Sequence, residues 1–301
     1  MREFSVVTGA FSYTGRYIAE RLLALGQPVR TLTRHPPSRS DGGIEVAPLN
    51  FADRDGLVDA LRGATTLYNT YWVRFPRGWV TFEQAVVNSQ ILFEAAGVAG
   101  VRRVVHISIT NPSTTSPLPY FKGKGKVEET LARSGLSYAI IRPTLIYGLE
   151  DVLLNNIAWF LRRLPVFGIP GNGSYRVQPV SVEDVADLAV FAATQKDHLV
   201  MDAVGPEIYT FDALVRALAE AVGSHVRIAH VSPALAMLAV GVAGRVVRDV
   251  VLTRDELRGL MENLLVSNGP PTGRRRLSEW LAINGELLGR RYANELKRNY
   301  R

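Results

Sequence analysis

Apolar positions in the first half of the chain alternate between two rhythms. Ser5-Val-Val-Thr8 is a short apolar run that passes through a small-residue turn into a helical spacing at Tyr17, Ile18, Leu22, Leu23 and Leu25. The same change recurs. Strand patterns are predicted at Gln27–Leu32, Ile44–Ala47 and Thr66–Thr70, with helices at Arg54–Arg62, where Asp53 is the expected N-cap, and at Thr81–Ala99. Arg103–Ile109 is almost wholly apolar, as in a strand covered on both faces of a parallel sheet. A helix is then expected to open at Tyr120 and continue through Val127–Arg133. Strands alternating with helices predict an α/β fold with a doubly wound parallel sheet.

Beyond Gly148 the rhythm loosens. An amphipathic helix is expected at Asp151–Arg163, a Gly/Pro loop at Pro165–Tyr175, and a returning helix at Glu183–Gln195. From Gly205 a short strand (Ile208–Phe211) leads to a helix with Asp212 as its expected N-cap, a strand at Val226–Ala229, and further helices. Asn268–Gly273 is a turn. The most apolar stretch, Pro233–Gly244, is too short to span a bilayer. A buried helix is the first expectation there; lining an apolar pocket or lying on a membrane surface are the others. There are no repeats.

Composition narrows this picture. With 301 residues, 47% hydrophobic, the chain can build one large domain or two unequal ones. It has no cysteine, which excludes disulfides, thiol catalysis and cysteine metal sites. Its five histidines show no metal-binding spacing, so no metal site is expected. The opening Met-Arg-Glu-Phe-Ser enters a strand at once, so a cytoplasmic protein is expected, with a peripheral membrane location as the other reading. Net charge is +7, and residues 270–301 carry eight Arg/Lys against three Glu, a net of +5. That tail is either a solvated helical surface or a docking surface for an acidic protein or an anionic membrane. No recognition-helix or RNP-type pattern accompanies it, which makes nucleic acid the weakest partner class.

Candidate chemistry gathers where strands end. Gly9-x-x-Ser12-x-x-Gly15 sits between the first strand and helix, where backbone N–H groups at a helix N-terminus suit a pyrophosphate. Ser12 occupies the place of a middle glycine, so a nucleotide loop and a plain tight turn both stay open. After the second strand no acid stands ready for the ribose of NAD; Arg34 is there instead, and a guanidinium suits the 2′-phosphate of NADP(H). Asn50 and Phe51 are placed where an adenine could rest. The loop Tyr71–Trp79 is rich in aromatics and arginine, either as a packed loop or as a wall suited to an aromatic or anionic compound. Ser108 ends a strand, and Tyr120 and Lys124, four apart, share one helical face. An ammonium lowers the pKa of a neighbouring phenol, so this pair can do acid–base work, with Ser108 holding a substrate oxygen. Three of only five lysines lie within Lys122–Lys126 of a chain that otherwise prefers arginine.

Taken together, Thr8-Gly9-Ala10 with Gly15, Asn69-Thr70, and Ser108 with Tyr120 and Lys124 resemble the short-chain dehydrogenase/reductase superfamily. Arg142-Pro143-Thr144 through Tyr147-Gly148, and Val180–Ala186, resemble its extended branch. The likeness covers residues 1–195. It is nearest the atypical group that includes the nucleotide-binding accessory subunit of mitochondrial complex I and adjoins the NmrA-like negative regulators. The resemblance implies a Rossmann domain over residues 1–148 and 180–204, and a smaller, mostly helical substrate or interaction subdomain over 149–179 and 205–301. It implies that Gly9, Phe11, Ser12, Tyr13, Thr14 and Gly15 wrap the pyrophosphate, that Arg34 meets the 2′-phosphate, and that Asn69 and Thr70 line the adenosine side. Ser108, Tyr120 and Lys124 would flank the nicotinamide, with Pro143 and Thr144 at its carboxamide. The expected activity is NADP(H)-dependent oxidoreduction of a small carbonyl or alcohol by Tyr/Lys catalysis. Epimerase or dehydratase chemistry on the same site is one alternative. The complex I relative holds NADPH without turning it over, so a non-catalytic, structural or redox-sensing module docked to a membrane complex is another. Neither substrate nor oligomeric state is legible.

Overall fold

The computed structural model describes residues 3–34 and 42–300. The Pro-Pro loop that follows Arg34 lies outside the described residues. Two compact units emerge. The first comprises Met1–Pro143 and Val182–Ala203, and the second Thr144–Ser181 and Val204–Arg301.

In the first unit the chain runs β1 (Phe4–Thr8), α1 (Tyr13–Ala24), β2 (Val29–Thr33), β3 (Glu45–Pro48), α2 (Arg54–Leu61), β4 (Ala64–Asn69), α3 (Phe82–Val98), β5 (Arg103–Ile107), α4 (Pro119–Arg133) and β6 (Tyr138–Pro143). It leaves for the second unit through β7 (Leu145–Tyr147), α5 (Leu153–Leu161), β8 (Val166–Pro170), β9 (Arg176–Val177) and β10 (Pro179–Ser181). It returns to the first with α6 (Val182–Ala193) and β11 (Leu199–Ala203). The second unit is completed by β12 (Tyr209–Thr210), α7 (Phe211–Ala221), β13 (Arg227–Val231), α8 (Pro233–Val247), α9 (Arg254–Met261), α10 (Leu277–Asn284) and α11 (Glu295–Asn299).

The seven-stranded sheet has the order β11-β6-β5-β4-β1-β2-β3, and every pairing in it is parallel. The chain first builds outward from β1 to β3, then crosses back to β4 and builds the other way. The reversal opens a crevice at the carboxyl ends of β1 and β4, where such sheets take ligands. Helix starts follow local chemistry: Asp53 accepts the Gly56 N–H at 2.9 Å and Thr81 the Gln84 N–H at 3.1 Å. On α4 a proline takes the first position, where its missing N–H costs nothing. The core packed under this sheet includes Val6, Leu32, Leu67, Leu92, Phe93, Val104, Val127 and Ile140.

The second unit has its own core, built from Tyr147, Leu154, Leu161, Val177, Leu214, Leu218, Leu281 and others. Three expectations change here. Val166–Pro170, expected as loop, is a strand paired in parallel with β13. Helix α7 is capped by Thr210, which accepts the Ala213 N–H at 3.1 Å, and Asp212 lies inside its first turn. Helix α8, expected to be buried, has only Ala236 among its buried residues.

Candidate functional site

At the end of β1 the backbone turns through Gly9, whose φ of +67° favours glycine. Ser12 closes the turn, its hydroxyl donating to the Gly9 carbonyl at 2.6 Å. That bond accounts for serine in the middle place: the hydroxyl ties the loop that a glycine would leave open. A Cβ on Gly15 would stand 2.3 Å from the Gly9 carbonyl oxygen, so only glycine lets α1 start this close to β1. Ser12 gives α1 no side-chain cap, and no acid stands in its first turn. An uncapped, acid-free N-terminus at a strand end suits an anion. Phe11, Tyr13 and Thr14 are half-buried around this turn.

The neighbouring strand ends converge on it. Thr70 is bound twice to Thr8: its N–H donates to the Thr8 hydroxyl at 2.7 Å, and its own hydroxyl donates to the Thr8 carbonyl at 2.6 Å. Asn69 is fully buried, with its side-chain oxygen accepting from the Tyr71 N–H at 3.0 Å and its amide 3.2 Å from His106 Nδ1. Its polar atoms therefore organise the loop from within. Arg34 is exposed at the end of β2, near enough to Tyr71 to favour that phenolate, although burial dominates and raises the Tyr71 pKa. Tyr71 OH also accepts from Asn88 at 2.8 Å, and the Phe51 ring lies 4.9 Å from that of Tyr71. Asn50 is exposed, its side-chain oxygen taken by the Ala52 N–H.

Further along the same edge stands a second group. Ser108 follows β5 and is buried, and its Oγ has no hydrogen-bond partner among the described residues. A buried hydroxyl left unsatisfied is costly, and a ligand oxygen would satisfy it. Lys124 is buried on α4, donating to the Ile107 carbonyl at 2.8 Å and lying 4.8 Å from the centre of the Trp72 ring. Burial lowers its pKa from 10.5 to about 7, against the pull of Glu128 one turn on. Glu128 is itself held by a fork from Arg142, at 3.0 Å through Nε and 2.5 Å through Nη2. Tyr120 sets its ring edge-on to Trp72 (5.9 Å) and Phe82 (5.7 Å). The indole crosses α4 at Gly123, where a Cβ would lie 2.8 Å from it. Pro143 ends β6 and its carbonyl accepts from the Thr110 N–H at 2.9 Å. Thr144 belongs to the second unit, and its hydroxyl donates to the Gln178 carbonyl.

Thus Gly9, Ser12, Gly15, Arg34 and Thr70 gather at the ends of β1, β2 and β4, and Ser108, Tyr120 and Lys124 around β5 and α4. Sequence reasoning missed Trp72 as the cover of Lys124, and Glu128 with Arg142 as its electrostatic neighbours. The spacing of Lys124 and Glu128, four residues apart on one helix, was the available signal. His106 was missed as well. It is fully buried, its Nε2 is without a partner among the described residues, and burial and Lys124 push its pKa well down. No group of side chains among the described residues could hold a metal ion.

A dinucleotide fits these residues: a glycine cradle that a Cβ would fill, an uncapped helix start and an orphaned buried hydroxyl lie along one sheet edge. Comparison with known proteins agrees. A family model described as NAD(P)H-binding matches residues 9–196. The chain is similar to the mitochondrial NADH dehydrogenase [ubiquinone] 1 alpha subcomplex subunit 9 of Arabidopsis thaliana, 28% identical over 223 residues, which cover 68% of this chain and 54% of that one. It thus spans about half the length of that curated relative. Among solved structures, the NADPH-dependent quinone oxidoreductase QOR2 of Escherichia coli complexed with NADPH superposes with a TM-score of 0.74 at 23% identity, covering 93% of this chain and 99% of that one. MoeE5 in complex with UDP-glucose and NAD superposes with a TM-score of 0.71 at 22% identity, covering 94% and 98%. These superpositions establish the fold alone. The chain belongs to the NAD(P)H-binding family.

Proposed function

We propose that the protein is an NADP(H)-dependent oxidoreductase acting on a small carbonyl or alcohol. The observation that carries this reading is the buried Ser108 hydroxyl, without a partner among the described residues, next in sequence to the Ile107 carbonyl that a buried lysine, one helical turn after Tyr120, holds. Bound NADP(H) would supply or accept the hydride. Gly9, Phe11, Ser12, Tyr13, Thr14 and Gly15 would surround the pyrophosphate. Arg34 would pair with the 2′-phosphate, and Asn50, Phe51 and Thr70 would border the adenosine, with Asn69 fixing the loop. Ser108 would donate a hydrogen bond to the substrate oxygen. Tyr120 would give or take the proton at that oxygen, its phenolate favoured by the Lys124 ammonium. Pro143 and Thr144 would meet the carboxamide. The aromatic walls from Trp72 and Phe82 suit a flat substrate, and the quinone acted on by the Escherichia coli neighbour gives a first compound to try.

The test is calorimetric titration of NADPH and NADH, followed by NADPH oxidation with carbonyl compounds and quinones. Wild type is expected to favour NADPH by about tenfold or more, roughly 1.4 kcal/mol, and Arg34→Ala to remove most of that preference. Tyr120→Phe should keep nucleotide affinity and lose turnover. Failure of both nucleotides to bind would remove the proposal. Epimerase or dehydratase chemistry uses the same residues. A second reading, a non-catalytic module docked to a membrane complex through its basic tail, is favoured by the likeness to the Arabidopsis complex subunit. It predicts tightly held nucleotide that neither carbonyls nor quinones oxidise.

A further inference from the structure

Helix α8 is uncharged from Pro233 to Gly244, about three turns, and then meets Arg245 and Arg248. It packs against β8, yet it leaves a stripe of large apolar side chains in solvent: Leu235 (52% exposed), Leu238 (66%), Val242 (55%) and Val246 (76%). At 100° per residue these four fall within an arc of about 80°, and Arg245 borders the stripe beside Leu238. Contiguous exposed apolar surface of this kind marks an interaction site.

The charge of the second unit and the two arginines at the end of α8 narrow the occupant. Residues 144–181 and 204–301 hold seventeen Arg/Lys against twelve Asp/Glu, a net of +5 out of the chain's +7. The acid next to Arg248 in sequence, Asp249, is buried and spends its carboxylate on the N–H groups of Glu295 and Leu296 at 2.9 and 3.0 Å. It therefore does not offset the two arginines at the surface. A second copy of the chain would bring like charges together. One face of a helix about 22 Å long also offers only roughly 200 Å², against about 800 Å² per partner in a stable dimer. An acidic protein would answer the arginines but not the width of purely aliphatic surface. Apolar side chains flanked by arginine are what an anionic lipid surface takes up, with the helix lying in the interface plane. No described helix is long and apolar enough to cross a membrane.

We infer that α8 is a membrane-surface helix that inserts Leu235, Leu238, Val242 and Val246 into the interface of an anionic bilayer, with Arg245 and Arg248 at the headgroups. This inference does not depend on the nucleotide site. The absence of cysteine allows one clean test: Val242→Cys carries a single environment-sensitive fluorophore in an otherwise label-free chain. Its emission should shift to the blue with vesicles of phosphatidylcholine mixed with phosphatidylglycerol, and binding should be about tenfold or more weaker with phosphatidylcholine alone. In flotation, the pair Leu238→Gln and Val242→Gln should lose binding to the mixed vesicles about tenfold or more. An unshifted label, or unchanged flotation of the doubly substituted protein, overturns the assignment. So does light scattering that finds a dimer which these substitutions dissolve, since a second copy would then cover the stripe. Should the doubly substituted protein fail to fold, the label alone decides.

Discussion

Lys124 is an ammonium placed where water cannot reach it, and its proton is correspondingly loose. In the unfolded chain a lysine holds its proton to about 10.5; here burial lowers that to about 7. Between those values the unfolded state binds more protons than the native state. This group therefore makes stability rise with pH from about 7 to 10.5, and below 7 the cost of burying the charge, on the order of a few kcal/mol, is present in full. Glu128 opposes the drop, and the Arg142 fork holds that carboxylate in place. With only five lysines, the titration can be read one resonance at a time. In a sample labelled with 13C-lysine, one resonance is expected to titrate near 7, to vanish in Lys124→Met, and to move lower still in Glu128→Gln. Five ordinary lysine midpoints would contradict the burial argument. The four-residue spacing of Tyr120 and Lys124 was legible in the sequence. The depth of Lys124 was not, because it depends on Trp72, an indole brought over α4 from fifty residues earlier.

A single atom decides how α1 meets β1. With Gly15 in place, the first turn of the helix rests against the Gly9 carbonyl; one added methyl would overlap that oxygen. Gly15→Ala is expected to cost about 1–3 kcal/mol, through forced separation of helix and strand, and to weaken nucleotide binding with it. Thermal denaturation checks the first outcome and calorimetry the second; an unchanged melting temperature would mean that the loop can relax. Elements with strong signals were readable: β1 and β5 by their apolar runs, and α2 by its cap Asp53. Strand β8 was hidden because Val166–Pro170 is short, bounded by prolines, and gains its hydrogen bonds only from β13, some sixty residues on. Helix α8 misled for the opposite reason. Composition reports how apolar a segment is, and only the packing reports whether anything covers it.

Each of the two units carries a core of its own, and the candidate nucleotide residues other than Thr144 all belong to the first. Ligand binding stabilises the structure that binds. In hydrogen exchange, NADPH is expected to slow the amides of β1, β4 and the start of α1, and to leave those of Leu214–Ala219 in α7 unaltered. Equal protection throughout would mean that the two cores open as one. At this scale the alternation of strand and helix was enough to give the sheet, whereas nothing in the sequence set the charge of the second unit beside an uncovered helix. The order in which the first unit closes also has a bearing on synthesis. Its last strand, β11, pairs with β6 only after residues 144–181 have been made. Until then a ribosome-bound chain presents β6 as an open edge, ready to pair with another molecule. Arg103 waits as well: two of its three acceptors, the carbonyls of Ala192 and Asp197 at 3.0 and 2.9 Å, arrive with that late segment. A nascent chain of this protein is thus most exposed to mispairing midway through its translation, and is relieved when residue 203 emerges.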